Sequence, residues 1–417
     1  MKAYRTELDP NNVQRTAMLQ HCGAARWAYN WGLEQIKAAA DNGEKWPSAF
    51  SLCKRLVAIK GTDALPWGYT VSKSVFEGAF HNLETAIENW RGSKAGQRTG
   101  PKAKFPRRKS RKHGIGSCQF RGSIRVFDGA IQLPRIGLVR VKEHGYIPAG
   151  KYGQATISEQ AGHWFVSVLN KCDRETTVLT DEVIGIDVGI KTLAVCSDGA
   201  VFANPKALSA KTKQMRRWQR KLSRRQKGSA NRTKAKLQVA RLHKQIGDIR
   251  RDAHNKAARA IVNKRPAIIV LENLNVNVMF KNHKLAKALS DAAFGDFGRI
   301  VTHMAADAGI EVRRVERFFA SSKICSCCGW KKNDLTLANR TFVCGACGLT
   351  LDRDLNAALN LKHTVRSTGF EACGDYVSPG TIQATVDEAG TDQRVGNSIC
   401  LSIGDRQSAP AQTGGAA

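Results

Sequence analysis

The sequence Val183-Ile-Gly-Ile-Asp187 decides the fold, because it is a short apolar run that ends in a carboxylate. A run of this length and composition is typical of a buried strand. Two further strand patterns follow at residues 192–196 and 200–203, joined by the turn Ser197-Asp-Gly199. Three strands in immediate succession predict an antiparallel meander, with Asp187 at the end of its first strand.

The same pattern of an apolar strand followed by an acid occurs again. Residues 267–271, Ala-Ile-Ile-Val-Leu, are followed directly by Glu272. Between the two runs, apolar residues recur at helical spacing in a basic stretch, which predicts a helical hairpin over residues 206–264. A helix over about residues 284–308 and a strand over about 311–316 are predicted to follow.

This order of strands and helices is that of an RNase H-like fold, in which the first and fourth strands lie side by side and parallel. Asp187 and Glu272 are then expected to emerge beside each other from two neighbouring buried strands. The sequence therefore predicts an acidic site at one edge of the sheet.

A third acid is predicted from the segment Leu351-Asp-Arg-Asp-Leu-Asn-Ala-Ala-Leu-Asn-Leu361, which has the pattern of a helix start. On a helix, Asp354 shares a face with Ala357 and Ala358, and this apolar face must pack on the sheet. Asp352 points elsewhere and is interpreted either as a helix cap or as a group that supports the metal ligands without binding the metal.

Three converging carboxylates repel one another unless a cation lies between them. Hard divalent ions prefer oxygen ligands, and two Mg²⁺ or Mn²⁺ ions can hold the attacking and leaving oxygens of a phosphodiester. We therefore predict that Asp187, Glu272 and Asp354 are catalytic and bind two such ions. The alternative, that each acid only forms a turn or a cap, explains one acid better than three.

Four cysteines have the spacing of a zinc site. Cys325-x2-Cys328 and Cys344-x2-Cys347 are each followed by glycine, which lets the chain turn so that both thiols face one ion. A site closed by four thiolates is structural and not catalytic. Cys327 lies inside the first pair, and a register with Cys327 as ligand remains open.

The charge of the chain indicates a nucleic-acid partner. The 66 Lys and Arg outnumber the 35 Asp and Glu, giving a formal charge of +31, which argues against an enzyme of small neutral substrates. Residues 91–112 contain no acid and several Gly and Pro, so we expect a non-helical segment that contacts phosphates; the alternative is a solvated linker. The predicted nucleic-acid contacts are Lys102, Lys104, Arg107, Arg108, Lys109, Arg111, Lys112 and Arg340.

The N-terminal half combines a barrel with helices. A short strand over residues 2–8 precedes a helical region, in which Met18, Cys22, Ala25 and Tyr29 recur at helical spacing. Alternating patterns between residues 124 and 168 then predict a small antiparallel barrel or sheet. The first strand is expected to pair with these later strands, which makes the helical lobe an insertion.

No signal peptide or membrane-spanning run is recognised, so we expect no membrane partner and a cytoplasmic protein, associated with the nucleoid of a prokaryotic cell. The segment after residue 366 is rich in Gly, Ser, Thr, Asp and Gln and is expected to be disordered.

Several motifs resemble those of the TnpB family of transposon-encoded, RNA-guided DNA endonucleases, which are related to type V CRISPR effectors. They are Gly185-Ile-Asp-Val-Gly-Ile-Lys-Thr192, Val270-Leu-Glu-Asn-Leu274, Lys281-Asn-His-Lys-Leu-Ala-Lys-Ala-Leu-Ser-Asp291, Ser321-Ser-Lys-Ile-Cys-Ser-Cys-Cys-Gly329 and Cys344-Gly-Ala-Cys-Gly-Leu-Thr-Leu-Asp-Arg-Asp-Leu-Asn-Ala-Ala-Leu-Asn360. The resemblance implies a guide RNA from the transposon end, a double-stranded DNA target with a short flanking motif, and catalytic carboxylates at Asp187, Glu272 and Asp354. Asn273 departs from the family pattern, where an acid is common.

The resemblance implies a multidomain α+β protein. An RNase H-like (RuvC) nuclease domain with an inserted zinc ribbon would follow a β-barrel wedge domain that carries a helical recognition insertion. The expected boundaries are 1–10 and 111–180 for the wedge barrel, 11–110 for the recognition lobe with its basic linker, 181–322 and 349–366 for the nuclease, 323–348 for the zinc ribbon and 367–417 for the tail.

Three rival functions are compatible with parts of the sequence. A nuclease-inactive, RNA-guided DNA-binding repressor would need a broken set of acids, which the sequence does not have. A transposase that joins DNA ends would use the same fold but no RNA. A zinc-ribbon regulator without enzymatic activity would leave the acids at the strand ends unexplained.

Overall fold

The computed structural model describes residues 2–111, 114–170, 178–317, 319–336 and 339–366. The chain divides into two compact units, whose described parts are residues 2–84 with 107–366, and residues 85–106. The predicted disordered tail, 367–417, lies outside the described residues. Among the described helices, none is both long and apolar enough to cross a bilayer.

The strands are β1 (Lys2–Asp9), β2 (Ser117–Phe127), β3 (Ala130–Leu133), β4 (Gly137–Val141), β5 (Gly150–Gln160), β6 (His163–Asn170), β7 (Thr180–Val188), β8 (Thr192–Cys196), β9 (Val201–Ala203), β10 (Pro266–Leu271), β11 (Glu311–Arg314), β12 (Thr341–Val343) and β13 (Thr350–Asp352). The helices are α1 (Asn12–Asp41), α2 (Ala49–Ile59), α3 (Lys73–Lys94), α4 (Ala207–Arg224), α5 (Ala230–Val262), α6 (Val276–Met279), α7 (His283–Ala292), α8 (Phe294–Asp307) and α9 (Arg353–Arg366).

The first six strands form a closed barrel in the order β1-β4-β3-β2-β5-β6. Strand β1 pairs antiparallel with β6, with Leu8 opposite Trp164, and with β4, with Leu8 opposite Val141. Phe120 and Val166 are among the fully buried side chains of these strands. The predicted pairing of the first strand with the later ones is confirmed, and α1, α2 and α3 are therefore inserted between β1 and β2.

Helix α1 packs through the stripe that the sequence predicts. Its first turn is closed by a capping box between Asn11 and Gln14, which satisfies backbone N–H groups that a helix start leaves unpaired. Met18, Cys22, Ala25, Tyr29, Leu33 and Ile36 are all buried. A Cβ at Gly32 would lie 3.1 Å from the Leu83 side chain, so α1 and α3 pack closely there.

The basic segment was expected to be non-helical from Arg91, and this is wrong for its first residues. Helix α3 continues to Lys94. Basic residues in the last turn, here Arg91 and Lys94, interact favourably with the negative end of a helix dipole, which supports the longer helix. Within the smaller unit, Trp90 packs edge to face on Phe105 at 5.1 Å, and Ser93 accepts a hydrogen bond from the Ala103 N–H.

The second sheet is mixed, with strands in the order β11-β10-β7-β8-β9. As predicted, β7 and β10 are neighbours and parallel, with Leu271 opposite Ile186. Ile184 and Ile186 belong to the hydrophobic core that α5 and α8 form with this sheet. Because side chains alternate along a strand, Gly185 and Asp187 lie on the opposite face of the sheet.

Helix α9 packs on that opposite face. A Cβ at Gly185 would lie 2.1 Å from the Ala358 carbonyl oxygen, so the two backbones are in direct contact. Ala357, Ala358 and Leu361 are buried, as the helical pattern predicts. The same face of the sheet therefore carries Asp187 and receives the helix that begins beside Asp354.

The hairpin predicted over residues 206–264 is confirmed as α4 and α5. The single helix predicted over about 284–308 is wrong, because the chain forms α7 and α8 with a break at Ala293, which has a left-handed backbone with φ of 49°. Near the end of α7, the Asp291 carboxylate accepts hydrogen bonds from Leu208 N–H and Ser209 N–H at the start of α4.

Candidate active site and metal centre

Two of the predicted acids lie side by side at the ends of parallel strands. Asp187 is near the end of β7, and Glu272 follows Leu271, the last residue of β10. Leu271 is paired with Ile186 in the parallel register, so the next residues along the two strands are Glu272 and Asp187. Both side chains are partly buried. The sheet thus brings two acids together from positions far apart in the sequence.

The third acid is in the first turn of α9. Asp354 is paired with its neighbour Arg353, whose Nη2 lies 2.9 Å from Oδ1 of the aspartate. Asp352 accepts hydrogen bonds from the backbone N–H groups of Asp354 and Leu355, at 2.9 and 3.1 Å. Asp352 is therefore the cap of this helix, the first of its two predicted roles, and the cap fixes the backbone at Asp354.

The electrostatics of the three acids are linked. Burial raises the pKa of Asp187 well above its ordinary value, and the charges of Glu272 and Asp354 raise it further. Burial and the charge of Asp354 also raise the pKa of Glu272, against a hydrogen bond from Ser321 that lowers it. A bound divalent cation would offset both the burial and the repulsion, so the donor set fits Mg²⁺ or Mn²⁺.

The four predicted cysteines form a compact group. The sulfur atoms of Cys325, Cys328, Cys344 and Cys347 all lie within 4.8 Å of one another. Within the described ranges, no other three or more His, Cys, Asp or Glu side chains are so arranged for a metal ion. Cys327 is exposed and is not a member of this group, which favours the register with two residues between the cysteines of each pair.

The backbone around the cysteines has the shape of zinc knuckles. Gly329 and Gly348 both have positive φ, near 70°, and each follows the second cysteine of a pair. Burial raises the pKa of the Cys344 thiol, but the N–H groups of Cys347 and Ala346 lower it to about 6. Burial raises the pKa of the neighbouring Cys325 thiol to about 12, so the four thiols would all be thiolates only beside a cation, and their compact grouping fits one structural Zn²⁺.

Three polar residues that the sequence patterns do not identify connect the two sites. Ser321 donates a hydrogen bond from Oγ to Oε1 of Glu272 at 2.7 Å. Asn356 and Asn360, on α9, donate hydrogen bonds to the chain just before Cys325. All three are buried. Their burial despite their polarity is the signal that could have identified them, but it is visible only once the fold is known.

The predicted nucleic-acid contacts are exposed wherever the structure describes them. Lys102 and Lys104 lie in the smaller unit, and Arg340 precedes β12. Two of the predicted residues make contacts within the protein. Arg108 pairs with Glu34 at 2.6 Å, and the Lys109 ammonium lies 3.8 Å from the centre of the Tyr29 ring. Arg107 and Arg111 are exposed as well, and Lys112 lies outside the described residues.

The fold and the two sites together define the class of the protein. A mixed sheet carries an acidic site, and α9, which completes this site, follows the segment Cys325–Cys347, here called the four-cysteine hairpin. An antiparallel barrel precedes the sheet in the chain. Residues 163–283 match the family model described as "Probable transposase" (OrfB_IS605), and residues 294–361 match "Cas12f1-like, TNB domain". Residues 1–45 match a "Helix-turn-helix domain" model of the same family, although in this structure they contain β1 and the single long helix α1.

Relatives match along most of the chain. The "Putative RNA-guided DNA endonuclease" of Streptomyces pristinaespiralis is 31% identical over 382 residues, covering 91% of this chain and 92% of the relative. "Putative RNA-guided DNA endonuclease InsQ" of Escherichia coli (strain K12) is 27% identical over 397 residues, covering 91% and 96%. The chain belongs to the TnpB (IS605 OrfB) family.

A solved structure, "Cryo-EM structure of the Cas12f1-sgRNA-target DNA complex", matches over 87% of this chain and 98% of its own, with 17% identity. Its TM-score is 0.33, too low to establish a common arrangement of the whole chain.

Proposed function

We propose that this protein is an RNA-guided, divalent-metal-dependent DNA endonuclease encoded by a mobile element. The observation that carries the proposal is the placement of Asp187, Glu272 and Asp354 around one face and edge of a mixed sheet, with linked electrostatics. Family membership and the names of the full-length relatives support RNA guidance and DNA as substrate. The charge of +31 is suited to holding two polyanions.

The proposed nuclease domain is RNase H-like (RuvC), with Asp187, Glu272 and Asp354 as metal ligands. When bound, two Mg²⁺ ions would activate water and stabilise the departing 3′-oxygen of the scissile phosphodiester. The chain itself supplies the placement. The parallel register fixes two of the acids, while the Asp352 cap fixes the helix start that carries the third.

The other parts of the chain are assigned by the family. The barrel with its helical insertion is the proposed wedge domain with a recognition lobe, and the four-cysteine hairpin is the proposed zinc ribbon. A guide RNA from the transposon end would read the target by base pairing, while the protein reads a short flanking motif. The exposed basic residues, Lys102 and Lys104 among them, are proposed phosphate contacts.

The first test is to purify the protein with the RNA it carries from its native locus, and to sequence that RNA. A discrete RNA from the flanking element supports the proposal and supplies the guide for cleavage assays with Mg²⁺. If no specific RNA is recovered and the protein instead joins DNA ends, the transposase suggested by one family description is favoured.

The second test separates cleavage from binding. Asp187→Asn and Glu272→Gln should each lower the cleavage rate by several orders of magnitude while affinity for target DNA stays within about threefold, since binding rests on phosphate and base-pair contacts. Asp181→Asn is the matched control, because Asp181 is exposed near the start of the same strand β7. Unchanged cleavage by the Asp187 variant would refute the assignment. Binding without cleavage by the unmodified protein would favour a repressor.

A further inference from the structure

The hydrogen bond between Ser321 and Glu272 connects the turn just before the four-cysteine hairpin to the acidic site. Ser321 begins a single turn of 3₁₀-helix, Ser321–Lys323, directly before the first cysteine pair. Its side chain is 4% exposed, and its hydroxyl donates to Oε1 of Glu272 at 2.7 Å. A carboxylate can only accept hydrogen bonds when ionised, so this donor favours the charged form and fixes one of its two oxygens.

Helix α9 holds Ser321 in place. The side-chain amide of Asn360 donates to the Ser321 carbonyl at 2.7 Å and to the Ile324 carbonyl at 2.6 Å. Both amide hydrogens of Asn360 are thereby used. Asn360 is 5% exposed, and loss of such buried bonds leaves unpaired polar groups, so the loop has little freedom to move away.

Helix α9 also forms hydrogen bonds to the backbone of the first cysteine pair. One turn before Asn360, Asn356 donates to the Ile324 carbonyl at 2.7 Å and accepts from the Ser326 N–H at 2.9 Å. These two bonds flank Cys325 on either side. The position of the knuckle, and with it Ser321, is therefore set by the helix whose first turn carries Asp354.

We infer that Ser321 is a positioning residue for Glu272: held by Asn360 against α9, it orients the carboxylate so that Oε2 is the oxygen available to a divalent cation. This inference rests on the proposed role of Glu272 as a metal ligand. The turn just before the four-cysteine hairpin would thus contribute one hydroxyl, that of Ser321, to the arrangement of the acidic site.

The test compares Ser321→Thr with Ser321→Val in the full-length, RNA-loaded protein. The two side chains have nearly the same shape, but only threonine keeps the hydroxyl. Binding of Mn²⁺ is measured by electron paramagnetic resonance without target DNA, and the Mn²⁺ still bound by Glu272→Gln is subtracted. We expect the valine variant to bind Mn²⁺ about tenfold more weakly, the size expected for one hydrogen bond to a charged group, and the threonine variant to match the unmodified protein.

Controls distinguish positioning from folding. Ser322→Ala removes a hydroxyl from the neighbouring residue of the same turn and should leave Mn²⁺ affinity unchanged. Zinc content and thermal unfolding should be equal in the threonine and valine variants. Equal Mn²⁺ affinity of these two variants would overturn the inference, as would a loss of zinc that parallels the loss of Mn²⁺.

The outcome is separable from that of the proposed function. If the unmodified protein with its RNA cleaves no DNA, the endonuclease proposal fails, but the Mn²⁺ measurement still decides whether Ser321 positions Glu272. If cleavage occurs, the valine variant should need about tenfold more Mn²⁺ than the threonine variant for half-maximal rate.

Discussion

Gly185 and Ala358 are in contact through their backbones: a Cβ at position 185 would lie 2.1 Å from the Ala358 carbonyl oxygen and 2.6 Å from the Lys362 nitrogen. Both atoms belong to the backbone of α9, so they cannot turn aside as a flexible side chain would. The approach of α9 to β7, and hence of Asp354 to Asp187, depends on the missing side chain.

Replacing this glycine should therefore affect both stability and activity. Gly185→Ala is expected to destabilise the protein by about 3 kcal/mol, because α9 must shift from the sheet. Thermal unfolding measures the effect on stability, and Mg²⁺-dependent cleavage measures the effect on activity. Gly247→Ala is the matched control, since a Cβ there meets nothing within 4 Å and the residue is inside helix α5. Wild-type stability of Gly185→Ala would contradict the described packing.

The cysteine group predicts a clear difference between neighbouring thiols. Cys344→Ser should abolish stoichiometric zinc and with it the order of the hairpin, because the proposed zinc site needs all four thiols of the compact group. Cys327→Ser should keep one zinc per chain, since Cys327 is exposed and outside the group. Zinc content after purification, by elemental analysis, checks both. Loss of zinc from the Cys327 variant would revive the alternative register.

Low pH should weaken the contact between α1 and the start of α3, because this contact depends on neutral His21. Burial lowers the pKa of His21, and its Nε2 accepts a hydrogen bond from the Ser72 N–H, which requires the neutral ring. Because the folded pKa is below the unfolded value of about 6.5, the stabilisation is complete above that pH and is lost as pH falls towards the folded pKa.

The measurement is the midpoint of urea unfolding at several values between about pH 5 and 7. His21→Gln should show a smaller decrease with falling pH than the unmodified protein. His254 also has a pKa lowered by burial and remains in both proteins, so part of the decrease should persist. An identical pH dependence in the two proteins would exclude His21 as a contributor.

The basic segment should contribute to RNA affinity through charge alone. Replacing Lys102, Lys104 and Arg107 with alanine should flatten the plot of log K against log salt by about 2, given about 0.7 for each phosphate contact with a single strand. Lys73→Ala is a control for a basic residue at an ion pair, here with Glu77. An unchanged slope in the triple variant would show that these side chains do not contact phosphates.

The sequence was sufficient for features that repeat or have a fixed spacing. The apolar strands before Asp187 and Glu272, the buried stripe of α1 and the cysteine pairs follow from local patterns, and the structure confirms them. The sequence does not reveal the break at Ala293, because alanine favours helices and rarely adopts the left-handed backbone found there.

The bond between Ser321 and Glu272 was missed for a different reason. It joins residues 49 positions apart, and neither residue is part of a periodic pattern that would place them together. Polar contacts of this kind depend on the packing of whole elements, here α9 on β7, and become visible only when the backbone positions are known.

Because Asp354 is in α9, it is synthesised later than the other two acids, Asp187 and Glu272. During synthesis the barrel strands and the strands that carry Asp187 and Glu272 leave the ribosome first, while α9, which must cover Gly185, emerges last among the described elements. A nascent or prematurely terminated chain can thus expose its basic surfaces to nucleic acid before it has a complete set of acids. In the proposed nuclease, the order of translation would delay the ability to cut until α9 has been synthesised.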